Sequence, residues 1–226
     1  METDLTADKH SSIDYEFWYH STRHSSHFNE NYYNARAKIA LSKFFSGINR
    51  QDRVLDYGCG LGQNILYMPN AIGYDISKFG VEFCKNKGIN AINDLEDVPD
   101  NAFDVVFSAH VLEHHPHPKT MLEDIFNKLK QGKKLILVIP YERHGRAQFK
   151  YDLNQHLYIW NFQAINNLLM SVGFEIKENR YITGAGYFRL LPLLKINFGL
   201  YRFATNFISR LFGIKEMMIV ATKPKN

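Results

Sequence analysis

Three glycines at alternate positions, Gly58, Gly60 and Gly62, follow the short run Val54-Leu55-Asp56. Glycine is required where the backbone takes positive φ or where a ligand lies against bare main chain. An apolar strand that runs into such a loop has the form of the turn at which doubly wound sheets hold a nucleotide-like ligand. The alternate spacing differs from the dinucleotide fingerprint, and no Lys or Arg follows the glycines as it would in a phosphate loop. The next acid in a suitable place is Asp75, roughly 20 residues beyond Asp56, the offset at which a carboxylate meets ribose hydroxyls. A carboxylate suits that task because it accepts from two hydroxyls at once. The competing reading of Asp75, a cap for a helix starting at Ser77, is outweighed by the loop upstream.

A second group of polar residues lies near the start of the chain. His20, His24 and His27 share one helical face and could be read as metal ligands, but no pattern of acids accompanies them. The aromatics around them (Tyr15, Phe17, Trp18, Tyr19, Phe28, Tyr32 and Tyr33) point instead to an N-terminal segment, 1–34, that packs on the core or closes over a ligand. No metal requirement is expected. Two cysteines, Cys59 and Cys84, give neither a disulfide framework nor metal-ligand spacing, and the polar stretch from Met1 to His10 is unlike a signal peptide. A reducing, cytoplasmic setting is the expectation.

The elements that must position these residues alternate. Strands are predicted at 53–57, 72–75, 91–93, 103–108, 134–139, 174–181 and 216–221, with helices at 35–47, 63–68, 78–87, 118–130 and 161–171. Gly47, Gly88, Gly132 and Gly173 each follow a helical run as a C-terminal cap would, and Pro118 stands at a helix start. The run Leu135-Ile136-Leu137-Val138-Ile139 is apolar throughout, as in a strand covered on both faces. The fold class is therefore α/β: a doubly wound, Rossmann-like seven-stranded sheet with helices on both faces, filling one domain over 35–226.

The net charge of +4 is unevenly placed. Arg180, Arg189, Lys195, Arg202, Arg210 and Lys215 occur with no acid among them, so the rest of the chain is slightly acidic and no general affinity for nucleic acid is expected. The apolar, basic insertion at 184–213 is too long for a plain loop. It is expected to lie on a membrane surface through Leu190, Leu193, Leu194 and Phe198, to cover a lipophilic substrate, or to pack on this domain or in a homodimer. No apolar run in it is long enough to span a bilayer.

With its neighbours, the glycine loop Asp56-Tyr57-Gly58-Cys59-Gly60-Leu61-Gly62 resembles motif I of the class I S-adenosylmethionine (SAM) methyltransferases. Phe103-Asp104-Val105-Val106, continuing to Leu112-Glu113-His114, resembles their fourth-strand motif. Asn154-Gln155-His156-Leu157-Tyr158 and Gly173-Phe174 resemble their late segments. The resemblance implies SAM as cofactor, S-adenosylhomocysteine as product and no metal. It assigns cofactor contacts to Asp56, Gly58, Gly60, Gly62, Asn64, Asp75, Ile76, Asp94, Leu95 and Ala109, with Asp94-Leu95 at the adenine. It places His114 beside the transferred methyl as first candidate for a base, followed by His156 and His110, with His144 as an outsider. Glu113 is expected to hold the loop or the cofactor's charged end, and His115 and His117 to face solvent. Ser108-Ala109-His110 stands where base-methylating enzymes carry Asn/Asp-Pro-Pro-Tyr/Phe, which disfavours nucleic acid as substrate. The implied activity is O-methylation of a small or a lipid- or glycan-linked acceptor. The alternatives are a small-molecule N-methyltransferase and a non-catalytic SAM-binding scaffold.

Overall fold

The computed structural model describes residues 16–23, 25–142, 156–183 and 186–225. The chain enters through α1 (Phe17–Arg23), a 3-10 segment (Ser25–Phe28) and α2 (Glu30–Phe44). It continues through β1 (Val54–Tyr57), β2 (Ala71–Tyr74), α3 (Lys78–Asn86), β3 (Ala91–Ile92), β4 (Phe103–Ala109), α4 (Pro118–Lys128) and β5 (Leu129–Pro140). It closes with α5 (Phe162–Val172), β6 (Glu175–Thr183), a 3-10 segment (Phe188–Lys195), α6 (Phe198–Leu211) and β7 (Lys215–Thr222). The seven strands form one sheet in the order β3-β2-β1-β4-β5-β7-β6, parallel except for β7, which runs antiparallel to both neighbours.

The order explains where a ligand can go. From β1 the chain builds outward to β3, then returns to lay β4 on the other side of β1. The connections leaving β1 and β4 part there, opening a crevice at the carboxyl ends of the strands. Burial on both faces accounts for the apolar strands. Leu55, Val106, Leu135 and Leu137 pack with Met121, Leu122 and Ile125 of α4 and Ile165 and Leu169 of α5. Val54, Val105, Phe107 and Ile136 pack with Ala40 and Phe44 of α2 and Val81 and Cys84 of α3.

Helix ends follow local chemistry. Side chains of Asn29, Ser77, Asn161 and Asn197 each accept a main-chain N–H of the first turn, and Gly173 ends α5 at φ 109°. Three expectations need correction. The helix expected at 35–47 is α2, which begins at Glu30, crossing the 34/35 boundary, and ends at Phe44 with Phe45 as its cap. Gly132, read as a helix cap, lies inside β5 with φ 71°. No α-helix follows the glycine loop at 63–68. The chain there makes successive turns, with the N–H groups of Gly62, Ile65 and Met68 bonded to the carbonyls of Cys59, Gly62 and Ile65. Pro69 and the entry into β2 leave too few residues to offset the cost of helix nucleation.

The insertion packs on the domain. Leu190, Leu193, Leu194 and Phe198 turn inward against Ala35, Ile39 and Tyr201, so they are not the outward apolar set that the sequence suggested.

Candidate active site

At the crevice lies a cavity of about 640 Å³, lined by the glycine loop, the ends of β2 and β4, and residues of the N-terminal segment. Gly58, Gly60 and Gly62 all take positive φ, at 79°, 53° and 75°. Their roles differ. A Cβ on Gly58 would stand 2.2 Å from Val111 Cγ2, and one on Gly62 would stand 2.7 Å from Cys84 Sγ and Ile89 Cδ1. Gly58 is thus pressed against the loop after β4 and Gly62 against α3. Of the three, only Gly60 has open space where a Cβ would stand, with His20 Cε1 at 4.0 Å, and it lines the cavity together with Gly58, Cys59 and Leu61.

Asp75 ties this loop to β2. Its Oδ2 accepts the Gly60 N–H at 2.7 Å and its Oδ1 the Ser77 N–H at 2.9 Å. Burial raises its pKa against the pull of these two bonds. The remaining lone pairs of the two oxygens suit vicinal hydroxyls. Asp56 is fully buried behind the loop, and burial, with the charge of Asp75, pushes its carboxyl up to about 8 against the Asn64 side chain.

The predicted cofactor residues divide accordingly. Gly58, Gly60, Asn64, Asp75, Ile76 and Ala109 line the cavity, and Ile76 offers it a bare apolar side chain. Asp56, Gly62, Asp94 and Leu95 do not line it. Leu95 packs toward the core, and the Asp94 carboxylate accepts the Glu96 N–H. Gln63 was not singled out by sequence. It lines the cavity, and its buried Oε1 has no hydrogen-bond partner among the described residues.

At the other end the sheet brings histidines together. His110 follows β4 at φ 57°, a strained conformation for a residue with a side chain. It lies between Glu113 (Nδ1 to Oε1, 3.4 Å) and Glu216 (Nε2 to Oε1, 3.2 Å), and Lys43 meets Glu216 at 2.9 Å. Burial lowers the His110 pKa, but the two carboxylates reverse this and lift it to about 10. Glu216 is raised by burial and lowered more strongly by His110 and Lys43, to about 2. The two carboxylates beside His110, whose side chain is 44% exposed, favour its protonated form, which is the wrong form for a base.

His114 and His156 stand edge to face, with ring centres 4.8 Å apart, and both line the cavity. The segment carrying His156 is fixed by the N–H groups of Leu157 and Tyr158, which donate to the Glu113 carbonyl. Behind His156, Glu142 binds Nδ1, leaving Nε2 as the other ring nitrogen. Glu113, His114 and His156 each bring one ligand atom within 4.8 Å of the others, a grouping that could hold a metal ion and that the sequence did not reveal. His115, expected to face solvent, lines the cavity, and its Nδ1 accepts the His117 N–H. His144, Tyr15 and His24 lie outside the described residues.

The N-terminal segment covers part of the opening. Tyr19, His20 and His27 line the cavity, and Tyr33 donates to the Leu61 carbonyl at 2.7 Å. Glu16 accepts the N–H groups of Lys78 and Phe79 at the start of α3, at 3.0 and 2.7 Å.

Over residues 15–179 the sequence matches the family model described as a methyltransferase domain. The chain belongs to that family. The loop, the acid after β2 and the strand order of this methyltransferase domain are those of the class I SAM-dependent fold. Phosphoethanolamine N-methyltransferase 1 of Arabidopsis thaliana is 29% identical over 148 residues, covering 57% of this chain and 30% of that protein. A tRNA U34 carboxymethyltransferase of Pseudoalteromonas atlantica is 38% identical over 98 residues, 37% of this chain and 30% of that one. The match thus spans about a third of the length of these relatives. A solved phosphoethanolamine N-methyltransferase 2 of Haemonchus contortus, in complex with S-adenosylhomocysteine, superposes with a TM-score of 0.62 at 17% identity. That likeness covers 95% of this chain and 61% of the other, and shows the shared fold.

Proposed function

We propose that this methyltransferase domain transfers the methyl group of SAM to an oxygen of a small or a lipid- or glycan-linked acceptor. The residues present fit the cofactor. Gly60 offers bare main chain, Asp75 has lone pairs for ribose hydroxyls, the Gln63 Oε1, without a hydrogen-bond partner among the described residues, suits an ammonium donor, and Ile76 offers an apolar wall. Bound SAM supplies a methyl group already activated on a sulfonium. What is left to the protein is alignment, exclusion of water and removal of a proton from the acceptor.

The observation that carries the oxygen reading is the Glu142–His156 pair beside His114 in the cavity wall. A hydroxyl acceptor must lose its proton as the new bond forms, and an imidazole backed by a carboxylate is an oriented acceptor for it. This ranks His156 ahead of His114, reversing the order implied by the resemblance. Arg36 also lines the cavity and has no ion pair among the described residues, so an acceptor bearing a carboxylate or phosphate would find a counter-charge.

N-methylation of a small amine is the second reading, favoured by the relatives that bear phosphoethanolamine N-methyltransferase names. Nucleic acid is disfavoured by the Ser108-Ala109-His110 ending of β4, although one relative bears a tRNA carboxymethyltransferase name. The setting is proposed as cytoplasmic, in keeping with two free, buried cysteines.

Incubation with SAM and a panel of hydroxyl, carboxyl and amine acceptors, read by mass spectrometry of the product, tests this. An O-methylated product supports the reading. An N-methylated product alone replaces it with the second, and SAM binding without turnover on any acceptor leaves a scaffold.

A further inference from the structure

The packing of α6 is inverted relative to an ordinary surface helix. Tyr201, Thr205 and Ser209 face inward and are buried, two of them hydroxyl residues with short side chains. Leu200, Phe203, Phe207 and Leu211 form the outward stripe, with Phe203 68% and Leu211 67% exposed. Phe203 and Phe207 stack with ring centres 6.4 Å apart, and Ile196 and Phe212 extend the apolar surface past both ends of the helix. A stripe of this kind on a water-facing side marks a surface that something covers.

The charges beside the stripe indicate what covers it. Arg189, Lys195, Arg202 and Arg210 are exposed, and none has an ion pair among the described residues. No acid lies between Arg180 and Lys215. A two-fold dimer through this face would set one array of cations against its copy, which is repulsive. An anionic lipid surface would neutralise the array and take the aromatic stripe into its headgroup layer. No helix among the described residues is long and apolar enough to cross a membrane, so the mode available to α6 is to lie on one.

We propose that the outer face of α6 is a docking site for an anionic lipid surface, with Phe203, Phe207 and Leu211 entering the interface and Arg202 and Arg210 meeting the headgroups. This goes beyond the proposed reaction and does not depend on which acceptor is used.

The test is co-sedimentation of the whole protein with phosphatidylglycerol-containing and with pure phosphatidylcholine vesicles. Binding at 0.1 M salt should favour the anionic vesicles at least tenfold and fall at least tenfold at 1 M, where the Debye length shrinks from about 10 to about 3 Å. Phe203→Ser/Phe207→Ser should lose at least tenfold in vesicle binding while keeping SAM affinity, and Arg202→Gln/Arg210→Gln should lose the anionic preference. The arginine pair serves as the fold-neutral check if the phenylalanine variant loses SAM binding. Equal partitioning onto both vesicle types, or none onto either, overturns the proposal. A concentration-dependent dimer abolished by the phenylalanine substitutions would overturn it in favour of a contact between copies.

Discussion

The Asp75 carboxylate accepts the Gly60 main-chain N–H at 2.7 Å, which makes the acid after β2 and the middle glycine of the loop, both lining the cavity, a single mechanical unit. A ligand that reaches one meets the other. Asp75→Ala should therefore lower affinity for SAM and for S-adenosylhomocysteine by at least tenfold, through loss of both a ligand contact and the loop's fastening. Hydrogen bonds to charged groups contribute about 1.5–3 kcal/mol, which sets that scale. Asp75→Asn keeps one acceptor oxygen and should lie between. Titration calorimetry reads both, and unchanged affinity in Asp75→Ala would remove the cofactor role.

Asp56 should impose a pH dependence on the unliganded protein. Its folded pKa, about 8, lies above the ordinary carboxylate value because burial and Asp75 disfavour its charge. The folded state thus holds this proton more tightly than the unfolded state does. Its contribution is complete below about pH 4 and declines as pH rises toward 8. Asp56→Asn should flatten the fall in Tm between pH 5 and 8 and equal or exceed the parent at pH 8. Parallel Tm curves for the two proteins would show that Asp56 does not carry the effect.

Substitution of His156 by Ala should reduce kcat 10²–10⁴-fold for a hydroxyl acceptor, the usual contribution of a general base. Glu142→Gln should cost less, because it alters the orientation of the ring and not its presence. His114→Ala should act mainly on KM if that ring only walls the cavity. A loss below about tenfold in His156→Ala would return the base to His114.

Glu216 should matter to stability more than to chemistry. Its pKa is depressed to about 2, so its contribution is present above its unfolded value near 4.3 and is lost as pH falls through 2. The raised pKa of His110 gives the opposite limit, with its contribution complete below about 6.5 and lost as pH climbs through 10. Glu216→Gln removes the carboxylate shared by His110 and Lys43, leaves Glu113 facing His110, and should cost about 2 kcal/mol in denaturant unfolding at pH 6. The difference from the parent should narrow toward pH 10. A cost under about 1 kcal/mol at pH 6 would mean that solvent in the cavity screens the group.

Much of the frame was legible in the chain itself. The seven strands and the loop at 58–62 could be read because a buried strand must be apolar and a positive-φ turn must carry glycine, and both constraints act within a few residues. Asp75 was legible because an acid at the end of the second strand, about 20 residues past the first, is where such sheets meet ribose hydroxyls. The expectation of a helix at 63–68 failed because helical spacing alone does not reveal that Pro69 and β2 leave too little length for a stable turn.

The sequence by itself determined the fold class, the cradle and the inventory of histidines. Tertiary structure decided their roles, since each role depends on a partner remote in sequence. The protonated form of His110 is favoured because Glu216, on the antiparallel strand β7, returns to its side. Glu16 caps α3 because the N-terminal segment folds across the cavity, a contact no local pattern encodes. The insertion turned Leu190, Leu193 and Leu194 inward and Phe203, Phe207 and Leu211 outward, because α2 already offered Ala35 and Ile39 as a seat. Amphipathic spacing specifies a face, but only the surface it meets decides which face is buried.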